Sequence, residues 1–245
     1  MRALGKLTRR RFFRITGGLA ALATAALRPT KTLANEPNYF EGTDFVGKTR
    51  AGRYRDFYIN YWQPMRRIDP AQWSLTINGL TERPATLTFD DLKHFPMQSM
   101  NSRLKCVECW SARATWTGFP FSEIEKLAPP KLETVGVLFH CADEYKEYLS
   151  LDALRHARTL MVTHMNNAPL TDEHGFPLRV ICPFKYGYKN PKAILRMEYV
   201  DRVTYGTWSK IGPYSPDGTI LPGTDHPLEF GKQPRRIPGG EIFDY

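Results

Sequence analysis

The sequence predicts an α+β fold: a single mixed, strand-rich domain with few and short helices. Three observations predict it. Short apolar runs of strand length recur between residues 73 and 203. Proline and glycine (19 and 18 residues) punctuate the chain steadily, leaving little room for long helices. No long alternation of strand and helix patterns is present, which argues against a doubly wound sheet. The 245 residues suffice for a proper core. No repeat, heptad or low-complexity linker marks an internal boundary.

The elements follow in chain order. Residues 35–55 are polar with scattered aromatics and read as an extended arm. Trp73 to Ile77 alternates apolar and polar, then meets the turn dipeptide Asn78-Gly79. Val135 to Phe139 and Leu160 to Met165 are apolar runs that predict buried strands, the second closed by Asn166-Asn167-Ala168-Pro169. Leu178 to Cys182 and Ala193 to Val203 complete the strand set. Thr88 with Asp91, and Ser122 with Glu125, have capping-box spacing. Ser150 is placed to cap a helix over Leu151 to Ala157. Beyond Tyr205 the proline-rich tail, 206–245, reads as loops packed on the same domain.

The formal charge of +9 suggests nucleic acid or a membrane surface until its distribution is read. Residues 1–34 hold eight Lys and Arg and no acid; the remaining 26 basic residues nearly balance 25 acids. The basicity therefore belongs to the leader, and nucleic-acid binding loses its support. Within the leader, Thr8-Arg9-Arg10-Arg11-Phe12-Phe13-Arg14 fits a twin-arginine export pattern. Ile15 to Leu27 is weakly apolar and shorter than the roughly 20 residues a spanning helix needs. Thr32-Leu33-Ala34 offers small residues for cleavage. The expectation is a signal peptide over 1–34 and a periplasmic protein. The route carries folded proteins, which suits a cofactor seated before export.

Four cysteines stand at 106, 109, 141 and 182. Cys106-Val107-Glu108-Cys109 is a C-x-x-C, but Trp110 stands where c-type haem attachment needs His. A zinc ribbon needs a second pair, which Cys141 and Cys182 do not form in sequence. A thioredoxin-type dithiol wants a helix starting at the first Cys, and the surroundings are strand-rich. A disulfide between some pair of Cys109, Cys141 and Cys182 stays open, because the periplasm is oxidising.

The whole neighbourhood carries a resemblance. Arg103-Leu104-Lys105-Cys106-Val107-Glu108-Cys109-Trp110-Ser111, then Trp116-Thr117-Gly118-Phe119-Pro120, resembles the metal-ligand segment of the sulfite oxidase-type molybdopterin oxidoreductases. The C-V-E-x-W-S form is similar to the periplasmic protein-methionine-sulfoxide reductase branch. Phe57 to Trp62, Phe139 to Asp143, Met165 to Leu170, His174 to Arg179 and Pro183 to Lys192 resemble further family segments in the family's order. The likeness runs from about Arg55 to Tyr205, and the domain is expected over residues 56–205.

The resemblance implies a molybdenum-molybdopterin cofactor with Cys106 as metal ligand. A soft thiolate suits such a centre, and Arg103 and Lys105 would favour its deprotonated form. Asn60 and Glu108 are expected on the open side of the metal. Asn60, Trp62, Gln63, Cys141, His174, Arg179, Lys185, Lys189, Asn190, Pro191 and Lys192 are the expected cofactor contacts. Arg179 can fork onto phosphate oxygens while the lysines supply point charges. Two departures stand out: Cys109 replaces a usually small residue, and His174 stands where the branch often has Asn.

The implied activity is oxygen-atom transfer, foremost reduction of S-oxides such as methionine sulfoxide, free or protein-bound. The rival readings are a sulfite dehydrogenase passing electrons to cytochrome c, and a non-catalytic exported binding domain of the same fold. The chain holds no haem motif, so a redox partner is expected, a membrane b-type cytochrome or a soluble cytochrome c. The tail leaves no room for the immunoglobulin-like dimerisation domain of the sulfite-oxidising branch. A monomer, or one weakly associated with a membrane subunit, is therefore expected.

Replacing Arg9 and Arg10 with Lys should strand the protein in the cytoplasm, as read by fractionation of expressing cells. Arg11 can substitute in part, so the triple Lys variant is the decisive one. Wild-type periplasmic yield from that variant would reject the twin-arginine route.

Overall fold

An eleven-residue strand, β5 (Trp110–Pro120), is the spine of the first sheet. Its residues 111–118 pair antiparallel with β4 (Gln98–Lys105) in one hairpin. Its other edge takes β1 (Asp44–Gly47) along the first half and β8 (Leu160–Met165) along the second. Strands β9 (Ala168–Pro169) and β10 (Arg179–Ile181) extend from β8. This computed structural model describes residues 44–47, 59, 61–64, 67–107, 110–212, 214–220, 224–225 and 235–236. The leader, most of the arm, Asn60, Glu108 and Cys109 lie outside the described residues.

The second sheet is mixed, in the order β3-β2-β11-β6-β7. Its members are β2 (Ser74–Gly79), β3 (Ala85–Thr88), β6 (Gly136–Cys141), β7 (Lys146–Ser150) and β11 (Ile194–Val200). Only the β2–β11 pairing is parallel. Helices are single short turns: α1 (Ser122–Leu127), α2 (Leu151–Arg155) and α3 (Thr207–Ile211). Among the described residues no helix is long and apolar enough to cross a membrane. The tail is not all loop. It contributes α3 and a small ladder between β12 (Thr224–Asp225) and β13 (Arg235–Arg236).

The expected strands are present because their apolar runs have two packed faces. In β8, Met161 points into the main core with Phe119, Val180 and Tyr199, while Leu160 and Val162 point into a second cluster around Trp116. A strand buried on both sides reads as a continuous apolar run rather than an alternation. Two caps also form as expected. Thr88 and Asp91 exchange hydrogen bonds, the Thr88 amide donating to the Asp91 carboxylate (2.7 Å) and the Asp91 amide to the Thr88 hydroxyl (3.3 Å). Ser150 accepts from the Ala153 amide at 3.2 Å. The third cap does not form. Ser122 is the first helical residue, the buried Phe121 takes the cap position, and Glu125 pairs with Arg155 at 2.8 Å instead.

Sequence patterning does not announce β4, β5 or β7. The outer face of the β4–β5 hairpin is a polar ladder, with Ser99 bonded to Thr117 (2.7 Å) and Asn101 to Thr115 (3.1 Å). Such a face mimics loop composition, and only pairing with the neighbouring strand reveals it.

Strand β7 carries the most consequential buried polar group, Glu147. Its carboxylate accepts from the Lys189 ammonium, the Tyr145 hydroxyl (2.8 Å) and the Tyr148 amide (2.9 Å). Both Glu147 and Lys189 are fully buried. Burial pushes the glutamate carboxyl up and the lysine ammonium down, and their mutual attraction opposes both shifts. Gly206 is held close against the carboxylate, where a Cβ would fall 2.3 Å from its oxygens. Lys189→Met should destabilise the protein by about 3–5 kcal/mol, because it strands a buried carboxylate. The double variant with Glu147→Gln should recover a measurable part of that loss. Urea unfolding of the three proteins checks this; a single variant as stable as wild type would show that the pair does not hold the fold.

Candidate cofactor site

Cys106 follows the last residue of β4, at the turn of the long hairpin. It is half-buried and packs against the cluster of Leu104, Ala112, Ala114 and Trp116. Hairpin pairing runs up to Lys105 opposite Ser111, so the turn is anchored immediately before the thiol. Arg103 and Lys105, on the outer face of β4, are both buried, and the Lys105 ammonium lies 6.0 Å from the Tyr186 ring centre. A 3-10 turn over Gly187–Lys189 abuts this hairpin end. A Cβ at Gly187 would stand 3.4 Å from the Lys105 carbonyl and 4.0 Å from the Cys106 Cα.

A second group of side chains gathers around Arg179 on β10. Its guanidinium lies over the Trp116 ring at 5.1 Å, and its Nη1 donates to the His174 carbonyl at 2.8 Å. Arg179 and Cys106 thus rest on the same Trp116 cluster. The Arg179 Nε is buried and has no hydrogen-bond partner. Burial pushes the guanidinium down to about 10, against a small opposing pull from Cys141. His174 is buried beside it and is pushed down to about 3 by burial, then by the charges of Arg179 and Lys192. Lys192 is pushed down to about 7 by burial and by Arg179. Its ammonium donates to the Glu173 carbonyl at 2.8 Å and lies 4.3 Å over the Tyr61 ring.

Other expected contacts fall around the same place. Cys141 ends β6 as a buried thiol, pushed well up by burial and by Asp143, with the Lys192 amide directed at its sulfur. Asp143 accepts the Trp62 amide at 2.8 Å, which ties the segment carrying Tyr61, Trp62 and Gln63 to β6. Trp62 packs edge-on against Trp208 at 5.6 Å, and Gln63 is exposed. Tertiary structure therefore brings Trp62, Cys141, His174, Arg179 and Lys192 into one neighbourhood.

That neighbourhood fits an anion. Beyond burial, Arg179 lowers the proton affinity of Lys192 and of His174, and an unpaired guanidinium nitrogen costs free energy when buried. A phosphate oxygen could satisfy that nitrogen, and its negative charge would oppose the depressions. The phosphate end of a molybdopterin could meet both needs, and the Cys106 thiol is a soft sulfur of the kind that could hold molybdenum.

Several expected contacts are also bonded within the frame. The Lys185 ammonium donates to Asp217 (2.6 Å) and to the Thr219 hydroxyl (2.7 Å). The Lys189 ammonium is taken by Glu147 and by the Pro216 carbonyl (2.7 Å). Both ammoniums are paired with a carboxylate where they are buried. Asn190 accepts the Cys182 amide (2.6 Å) and donates to the Tyr186 carbonyl (3.0 Å), holding the 183–190 loop in shape. The Pro191 carbonyl accepts the Val180 amide at 2.9 Å and so sets Lys192 beside β10. Cys182 is a buried thiol, pushed up to about 12 by burial, with the Thr159 hydroxyl directed at its sulfur at 3.5 Å. With Cys141 and Cys182 both reduced, the disulfide alternative is overturned, since every pairing it allowed used one of them.

Sequence reasoning missed the roles of Trp116, Asp143, Glu147 and Asp217. Trp116 and Asp143 stand inside the motifs quoted above, so their positions were visible though their jobs were not. Nothing in the local pattern marks Glu147 or Asp217, because each matters only through a lysine distant in sequence.

Comparison with known proteins agrees with this geometry. Residues 62–208 match the family described as the oxidoreductase molybdopterin binding domain. The chain is 32% identical over 221 residues to the protein-methionine-sulfoxide reductase catalytic subunit MsrP of Xanthomonas campestris pv. campestris, covering 82% of this chain and 65% of that protein. It is 30% identical over 256 residues to the MsrP catalytic subunit of Ralstonia nicotianae, covering 96% of this chain and 76% of the relative. The chain thus spans just under two thirds of the length of the Xanthomonas relative. Among solved structures, the sulfane dehydrogenase SoxCD of Paracoccus pantotrophus superposes with a TM-score of 0.58 at 16% identity, over 89% of this chain and 60% of that one, a likeness of fold alone. With the family match running from Trp62 to Trp208, across both the Cys106 hairpin and the Arg179 cluster, the chain belongs to the sulfite oxidase-type molybdopterin-binding oxidoreductases.

Proposed function

We propose that this protein is an exported molybdenum-molybdopterin enzyme that reduces S-oxides such as methionine sulfoxide. The observation that carries the cofactor reading is the buried Arg179, its Nε unpaired, on the same aromatic cluster as Cys106. Cys106 would hold the metal, and Asn60 and Glu108 would line its open side. Arg179, Lys192 and His174 would bind the anionic end of the pterin, with Trp62, Gln63 and Cys141 against its body. Lys185, Lys189, Asn190 and Pro191 would hold the surrounding loop in place. When bound, the molybdenum supplies two-electron oxygen-atom transfer. Electrons would come from a partner, a membrane b-type cytochrome or a soluble cytochrome c, in the periplasm.

The S-oxide assignment draws on the relatives named above and on charge. Glu108, two residues after Cys106, would repel a unit negative charge 4–8 Å away by about 2–4 kcal/mol at an effective dielectric near 20. Sulfite is an anion and feels that repulsion; a neutral sulfoxide does not.

Molybdenum content together with kcat/KM for methionine sulfoxide (reduced dye) and for sulfite (oxidised dye) tests the reading. Sulfoxide reduction should exceed sulfite oxidation by at least about tenfold, the equivalent of 1.4 kcal/mol. Equal or greater efficiency with sulfite would overturn the assignment. Cys106→Ala should lose activity while melting near the wild type, and Cys109→Ala should stay active.

Arg179→Met should separate cofactor from fold. Cofactor binding should weaken about 10–100-fold, the worth of a hydrogen bond to a charged group. Stability of the cofactor-free chain should be unchanged or higher by up to about 2 kcal/mol, because a costly buried charge is gone. Molybdenum assay and urea unfolding read the two effects. Full molybdenum occupancy in the variant would remove Arg179 from the site.

A further inference from the structure

The segment 214–220 lies beyond the family match, which ends at residue 208. It nevertheless grips the 184–190 loop along its length. The Tyr186 amide donates to the Gly218 carbonyl and the Ile220 amide to the Phe184 carbonyl, both at 2.9 Å. The Tyr188 hydroxyl donates to the Ser215 carbonyl at 2.7 Å. Asp217 and Thr219 receive the Lys185 ammonium, and Pro216 receives that of Lys189. Gly218 has φ +63 and sits so close to the Lys189 stem that a Cβ would fall 2.4 Å from its Cγ. The gripped loop is the one whose Gly187 abuts Lys105 and Cys106.

We propose that residues 214–220 are a strap that sets the 184–190 loop against the Cys106 turn, with Asp217 as its positioning residue. The inference rests on the reading of Cys106 as the metal ligand. Asp217 is well suited to the task. Burial pushes its carboxyl up, but hydrogen bonds from Lys185 and Thr219 outweigh this and hold it below its ordinary value. Lys185 is almost completely buried while Asp217 is largely exposed, so the loop depends on the strap for a counter-charge. Without it the ammonium must reach water, and the loop must move with it. Tyr186 and Gly187 follow Lys185 directly and would shift from the Cys106 turn. Loop position thereby passes to the site through the Asp217–Lys185 bond and the close approach of the Gly187 backbone to Lys105.

Hydrogen–deuterium exchange on the purified full chain tests this, comparing wild type, Asp217→Asn, Thr219→Val and Asp217→Glu. In Asp217→Asn, exchange should rise about tenfold in residues 184–190 and also in residues 104–107 across the contact. Thr219→Val should produce a smaller rise in the same two segments. Asp217→Glu, which keeps the charge, should restore slow exchange in both. Residues 194–200 of β11 should be unaffected in all variants. Faster exchange in 214–220 and 184–190 with none in 104–107 would confine the strap to a local structural role and overturn the proposal. A uniform rise that includes β11 would mark general destabilisation and overturn it as well. Exchange is read whether or not the chain holds molybdenum. A failed metal assay therefore overturns the functional reading alone, and exchange decides the strap.

Discussion

A buried cation must be paired where it lies, and between residues 179 and 192 the chain carries three, Arg179, Lys185 and Lys189, with the half-buried Lys192 beside them. Much of the architecture around the site is the answer to that constraint. Lys189 is met by Glu147 from the edge strand of the second sheet, and Lys185 by Asp217 from the C-terminal segment. Lys192 is met by the Glu173 carbonyl and the Tyr61 ring. Arg179 alone keeps a buried nitrogen without a partner, although its other contacts fix it in place. An enclosed charge left incomplete costs stability in the ligand-free chain. It is intelligible as an anchor that an anion completes.

The same pairings connect elements that no strand ladder joins. Glu147 ties β7 to the 3-10 turn beside Cys106, and Gly206 closes over the carboxylate. Trp116 joins the other half, since its ring supports the Arg179 guanidinium within the cluster on which Cys106 packs. The thiol and the Arg179 guanidinium therefore share a base. That is the requirement for holding a long cofactor at both ends.

How much of this was legible in the sequence depends on the kind of interaction. Strands buried on both faces, such as Leu160–Met165, announce themselves because an apolar run of Leu160, Met161 and Val162 opens them and Met165 closes them. The β4–β5 hairpin does not, although it carries Cys106, because its outer face is a ladder of hydroxyl and amide side chains that resembles a loop. Arg179, His174, Lys192, Trp62 and Cys141 were legible as a set through family resemblance, and the structure gathers them. Lys185 and Lys189 were legible as cations but not as paired ones, since their partners lie 32 and 42 residues away.

By itself, then, the sequence determined the fold class and the basic first 34 residues set apart from a nearly neutral body. These follow from local composition and spacing, which one chain displays directly. Tertiary structure alone decided which cations are paired with carboxylates and which keeps a buried nitrogen without a hydrogen-bond partner. It also decided that both buried cysteines outside the C-x-x-C stay reduced, and that the C-terminal segment grips the loop beside Cys106. The physical reason is that a side chain's charge is visible in its identity, but its partner and its solvent are properties of the folded neighbourhood.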